Sequence, residues 1–127
     1  MSSASTGSRH DAFQIERHGE VTIIEAGLGL ERMEPSLIEG ASALLLDPLR
    51  DLELPLILVD LSKIDAFGST FLALLIRCWK LVMDKGGMMA LSGVSPRIRD
   101  LLRITSLDVV WPIYATRREA LESLLAD

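Results

Sequence analysis

The chain has one cysteine, two histidines and no surplus of positive charge, and each shortage removes a class of function. Cys78 alone can neither close an internal disulfide nor build a multi-cysteine metal site, a usage that suits a reducing compartment. Thirteen Lys and Arg against 18 Asp and Glu leave a formal charge of −5, which argues against a surface made to neutralise phosphates and so against a nucleic-acid partner. The longest unbroken aliphatic and aromatic run, Phe71 to Ile76, is far short of the ~20 residues that span a bilayer. His10 and His18 fall in a tail and a turn. Asp60, Asp65 and Glu20 stand at unrelated spacings with no histidine near them, so they read as loop and cap carboxylates rather than an acid/base or metal set. Gly27-Leu28-Gly29 and Gly86-Gly87 make neither a Walker nor a dinucleotide fingerprint. With no base beside a nucleophile and no phosphate cradle, no enzyme, metal or cofactor is expected.

What is present is a domain of ordinary balance: 127 residues, 49% apolar and 24% charged, enough for one core. Its centre is residues 56–91. Leu56-Ile57-Leu58-Val59, bounded by Pro55 and Asp60, reads as a buried strand, and Met88 to Leu91 begins another. Between them Ser69 or Thr70 can cap a helix that Gly86-Gly87 ends, which makes one βαβ unit. Upstream, alternation around Phe13 and Ile15, then Val21 to Ile24, predicts a hairpin turning at Gly19; Gly27 to Leu30 reads as a loop. Helical spacing of Leu37, Ile38, Ala41, Leu44 and Leu45 predicts a helix over 36–47, with Pro48 to Pro55 as a connection. Downstream, Ser95-Pro96 opens a helix carrying Ile98, Leu101 and Leu102, with Arg97, Arg99 and Arg103 on a solvated face. Val109-Val110-Trp111 with Ile113 reads as a short edge strand, and Thr116 with Glu119 forms a capping box for a last helix. The opening MSSASTGSRHDA is small and polar with no hydrophobic signal region. Residues 1–11 are therefore expected to be a flexible tail, residues 12–127 the domain, and the location cytoplasmic.

The helix over 69–85 is apolar around more of its circumference than one sheet face requires. At about 100° per residue, Leu72, Leu75, Ile76, Trp79, Val82 and Met83 make a core stripe, and Ala73, Arg77, Lys80 and Asp84 a polar one. Leu74, Cys78 and Leu81 are left over on the flank that also carries Thr70. Either that surplus is a protein-binding patch beside the hydroxyl, with Arg77 close by, or a second helix of the same domain covers it.

The running order Asp60-Leu61-Ser62, hydroxyls at a helix start, Gly86-Gly87, Gly93-Val94-Ser95-Pro96, a Leu-rich helix and Thr105-Ser106-Leu107-Asp108 resembles that of STAS domains, which include the bacterial anti-sigma factor antagonists. The resemblance covers roughly residues 12 to 125. Family antagonists usually carry Asp-Ser-Ser-Gly at this helix start, the second hydroxyl being the phosphoacceptor of a partner kinase. Counting forwards from Asp60 or backwards from Gly86 gives one gapless register, in which Gly68 stands for the aspartate, Ser69 and Thr70 for the serines and Phe71 for the glycine. The resemblance implies an α/β fold: a single STAS-like domain with a mixed β-sheet of about five strands packed with about four α-helices. It further implies a non-catalytic module that binds an anti-sigma factor/serine-threonine kinase and separates from it once phosphorylated. Thr70 would be the acceptor and Ser69 a secondary hydroxyl; Gly68, Phe71, Leu74, Arg77, Cys78 and Leu81 would line the docking flank. The alternative is a STAS domain serving as a constitutive scaffold or transporter-complex subunit without phosphoregulation.

Overall fold

A computed structural model of the chain describes residues 8–9, 12–32 and 34–126; His10 and most of the expected tail lie outside them. A six-stranded sheet, ordered β1-β2-β3-β4-β5-β6 as in the sequence, forms the middle layer. The strands are β1 (Ser8–Arg9), β2 (Phe13–His18), β3 (Val21–Ala26), β4 (Leu56–Asp60), β5 (Met88–Ser92) and β6 (Ile113–Tyr114). The first three pair antiparallel and the remainder parallel, giving the expected mixed sheet. Gly19, at φ +65°, turns the predicted hairpin.

Among the described residues six α-helices follow in order: α1 (Gly29–Arg32), α2 (Pro35–Gly40), α3 (Ser42–Arg50), α4 (Ser69–Asp84), α5 (Pro96–Ile104) and α6 (Arg117–Leu125). Strand alternation sorts them into two layers. Ile24, Ile57, Val59, Met89 and Leu91 point to the large core shared with α1 to α5, while Val21, Ile23, Leu58 and Ala90 meet Ala120 and Leu124 of α6 on the other face.

Several local readings hold in atomic detail. Gly86, at φ +74°, lets its amide bond the Met83 carbonyl (3.0 Å) and the Gly87 amide the Val82 carbonyl (2.9 Å), the paired bonds of a Schellman motif. Ser95 accepts from the Ile98 amide (3.1 Å) and Thr116 from that of Glu119 (3.1 Å), while Glu119 reaches back to the Ala115 amide.

Others are corrected. The predicted helix over 36–47 breaks at Ala41 into α2 and α3, and α3 runs through Pro48 to Arg50. Pro48 forfeits a single bond, to the Leu44 carbonyl, at an exposed turn, and this close to the helix end that loss is tolerated. Gly29 and Leu30 begin a short helix rather than staying in a loop. Val109 closes a 3₁₀ turn over Leu107–Val109, and Trp111 is buried against the helical layer, so only Ile113 and Tyr114 remain as the edge strand. Ser8 and Arg9, inside the expected tail, pair with Ile15 and Gln14.

Candidate functional site: the mouth of helix α4

Residues 61–68 carry the chain from β4 to α4, and their backbone is held at both ends. The Asp60 carboxylate takes the Ser62 amide (2.9 Å), and the Leu61 amide bonds the Ser92 carbonyl (2.9 Å). Gly93, at φ +68°, passes so close beneath that a Cβ there would lie 2.6 Å from the Ser62 Cβ. Further along, one carboxylate oxygen of Glu31 accepts the amides of both Asp65 and Ala66, the latter at 3.2 Å. The Ser95 hydroxyl donates to the Asp65 carbonyl (2.7 Å), and Arg97 lies 3.3 Å from the Asp65 carboxylate.

Gly68 ends this loop in an extended conformation and is itself the N-cap of α4, with no side chain to close it. The expected capping by Ser69 or Thr70 is thereby corrected: both lie inside the first turn, and neither hydroxyl makes a hydrogen bond among the described residues. Ser69 is exposed and Thr70 half-buried. They sit at the rim of a hollow of about 470 Å³, walled by Leu30, Ile38, Phe67 and Phe71 and edged by Glu31 and Pro35. Phe71 is fully buried, its ring edge-on to Phe67 at a 5.1 Å centroid distance, so the first turn is fixed by aromatic contact. The first-turn amides have no intrahelical acceptors and stand at the positive end of the helix, which favours negative charge placed on either hydroxyl.

The flank assigned to docking is closed. Leu74 and Cys78 are buried, Phe71 with them, and Leu81 is half-buried against the same core. Helices α2 and α3 lie across that side of α4, so the second of the two readings given above is correct and the surplus apolar arc is core. Of the stripe expected at the core, Leu75 and Val82 are fully buried, Leu72, Ile76 and Trp79 are half-buried against that core, and Met83 is 52% exposed. Of the proposed docking residues only Gly68 and Arg77 remain at the surface, Arg77 paired with Glu39 of α2 at 3.3 Å. Burial pushes the Cys78 thiol up to about 12, against a smaller opposing pull from Arg77. Cys78 is therefore expected to resist thiol reagents at pH 8 in the folded protein and to react fully in denaturant; fast labelling without denaturant would contradict its placement.

Behind the loop, on the α6 face, a charge cluster fixes Asp60. Arg117 donates to Asp60 (2.9 Å) and Glu25 (2.9 Å) and reaches Glu16 (3.4 Å), while Lys63 lies 3.2 Å from Glu25. Burial works to raise the Asp60 pKa, but the amide and hydroxyl of Ser62 together with Arg117 outweigh it and hold the carboxyl below its ordinary value. Sequence reasoning missed Arg117, Glu25 and Glu31. One signal for Arg117 was available: Arg117-Arg118 in a first helical turn oppose the helix dipole, which invites a search for carboxylate partners.

The family model for the STAS domain matches residues 9–120. The chain belongs to the STAS domain family. An anti-sigma-factor antagonist (STAS) domain protein from Planctomyces limnophilus superposes with a TM-score of 0.82 at 30% identity, covering 90% of this chain and 98% of that one. A Thermotoga neapolitana homolog of TM1081, described as a putative anti-sigma factor antagonist, is 38% identical over 69 residues, 54% of this chain; the match spans 58% of that curated relative's length. The anti-sigma factor antagonist SpoIIAA in its unphosphorylated form shares the fold, with a TM-score of 0.74 at 20% identity over 88% of this chain and 95% of that one. Within this STAS domain, no helix among the described residues is long and apolar enough to cross a membrane.

Proposed function

We propose that this STAS domain is a non-catalytic regulatory binding module of the anti-sigma factor antagonist kind, switched by phosphorylation at Thr70 or, secondarily, Ser69. The observation that carries the reading is a pair of hydroxyls in the first turn of α4 that make no hydrogen bond among the described residues, on the rim of an open hollow. A phosphate there would bring roughly −1.5 to −2 of charge to a helix end that tolerates it, leaving the fold intact. Its effect would fall on whatever docks at the rim, where added charge must be desolvated. The name shared by the Planctomyces and Thermotoga relatives supports an anti-sigma factor as partner; that this partner is a serine-threonine kinase is part of the proposal. The docking surface is then centred on Gly68, Ser69 and Thr70, with Arg77 at its margin, and excludes the buried Leu74 and Cys78.

Thr70→Ala is expected to keep partner affinity within about threefold, and Thr70→Glu to lose about tenfold or more, ~1.4 kcal/mol. Isolation from the native cell followed by mass spectrometry supplies both the partner and the phosphosite, and titration of the variants supplies the affinities. Equal binding by both variants would favour a constitutive scaffold or transporter-complex subunit. That second reading draws on Gly68 and Phe71, which stand where family antagonists have Asp and Gly.

A further inference from the structure

Glu31 comes from the short helix α1, more than thirty residues before the hydroxyls, yet it lines the same hollow. The β4–α4 loop has no ladder or helix to occupy its amides, and at Asp65 and Ala66 both are gathered by one oxygen of this carboxylate. The Ser95 hydroxyl and Arg97 hold the same residue from the opposite side, through its carbonyl and carboxylate. Asp65 is thus pinned by α1 and α5 three residues before the cap of α4. Glu31 and Thr70 line one hollow of about 470 Å³, which places the carboxylate and the hydroxyl on a shared surface.

We propose that Glu31 is the positioning residue of the acceptor site: it fixes the loop that presents Ser69 and Thr70, and it adds a negative charge, opposed to the dipole of α4, to the hollow that the hydroxyl at position 70 lines. This rests on reading Thr70 as the acceptor. Among the described side chains nearby, Asp65 pairs with Arg97 and Glu39 with Arg77, while Glu34 is exposed at the N-cap of α2. Among the described side chains Glu31 is the acidic group lining the hollow itself.

Both halves can be measured on the protein alone. Amide hydrogen exchange reads the loop. A Thr70→Cys variant places a titratable probe at the acceptor position, and the native Cys78 is buried and silent beside it. In Glu31→Gln the amides of Asp65 and Ala66 are expected to exchange at least about tenfold faster while the β4 amides keep their protection, since one charge-assisted acceptor is lost and the core is not. Added to Thr70→Cys, the same substitution is expected to lower the thiol pKa by roughly 0.5 to 1 unit at low salt, the effect of removing one carboxylate charge from the lining of a partly solvated hollow. Glu31→Asp keeps the charge on a shorter arm, and is expected to speed exchange with less change in titration. Unaltered exchange at Asp65 and Ala66 would overturn the proposal, and so would a thiol that titrates identically in Thr70→Cys with and without Glu31→Gln. Failure of the phosphoswitch is seen separately, as absence of phosphate at Thr70, and leaves these two readouts unaffected.

Discussion

Gly87→Ala is expected to destabilise the protein by about 3 kcal/mol or more, a large part of the ~5–15 kcal/mol that holds a domain of this kind together. A Cβ at this position would lie 1.9 Å from the Pro55 carbonyl oxygen. The obstacle is backbone, and that oxygen also accepts the Met88 amide at 3.0 Å, so it cannot move without opening the first rung between β4 and β5. Gly86→Ala is the internal control. It meets nothing within 4 Å but must hold φ +74°, which costs about 1 kcal/mol. Urea denaturation of the two variants separates close contact from conformational strain. A Gly87→Ala loss no greater than that of Gly86→Ala would show that β4 and β5 are not held against this turn as described.

Arg117→Ala is the second large loss, about 2–4 kcal/mol, because it strips the guanidinium from a carboxylate only 5% exposed. Asp60 would keep the Ser62 amide but lose its counter-charge, and Glu25 and Glu16 would be left facing it. The folded-state pKa of Asp60 lies below its unfolded value, so its stabilisation is complete above the unfolded pKa, near ~4, and is lost as pH falls through the folded one. Removing Arg117 raises the folded pKa. Acid unfolding of Arg117→Ala should therefore begin at a higher pH than in the wild type, and Asp60→Asn should flatten this part of the stability–pH curve. Superimposable acid transitions for wild type and Arg117→Ala would refute the network. On the proposed function the switch is touched as well, since Asp60 anchors the start of the loop that leads to Thr70.

How much was legible from the residues follows from the range of the forces involved. Gly19, Gly86, Ser95 and Thr116 act on amides and carbonyls within a few residues, so their turns and caps could be read directly. Two local readings failed at the site: Gly29 and Leu30 begin α1 instead of staying in a loop, and Ser69 can cap, but Gly68 occupies that position and frees both hydroxyls. Val109 and Val110 look like a strand from composition. Trp111, drawn into the core and meeting Trp79 edge-on at 6.4 Å, bends that segment away from the sheet.

By itself the sequence determined the order of the main strands and helices, though not β1, α1 or the break between α2 and α3, together with the βαβ unit, the STAS resemblance and the position of two hydroxyls at the mouth of α4. Only the tertiary structure decided which arc of α4 is hidden. That helix is apolar over more than the arc one sheet face can bury, so its periodicity fits several rotations, and packing against the sheet, α2 and α3 selects the one that buries Leu74 and Cys78 along with Phe71, Leu75 and Val82. It alone also brought Glu31, Arg117 and Asp60 to the two ends of one loop, because carboxylates and guanidinium groups far apart in the chain leave no periodic trace before the fold joins them.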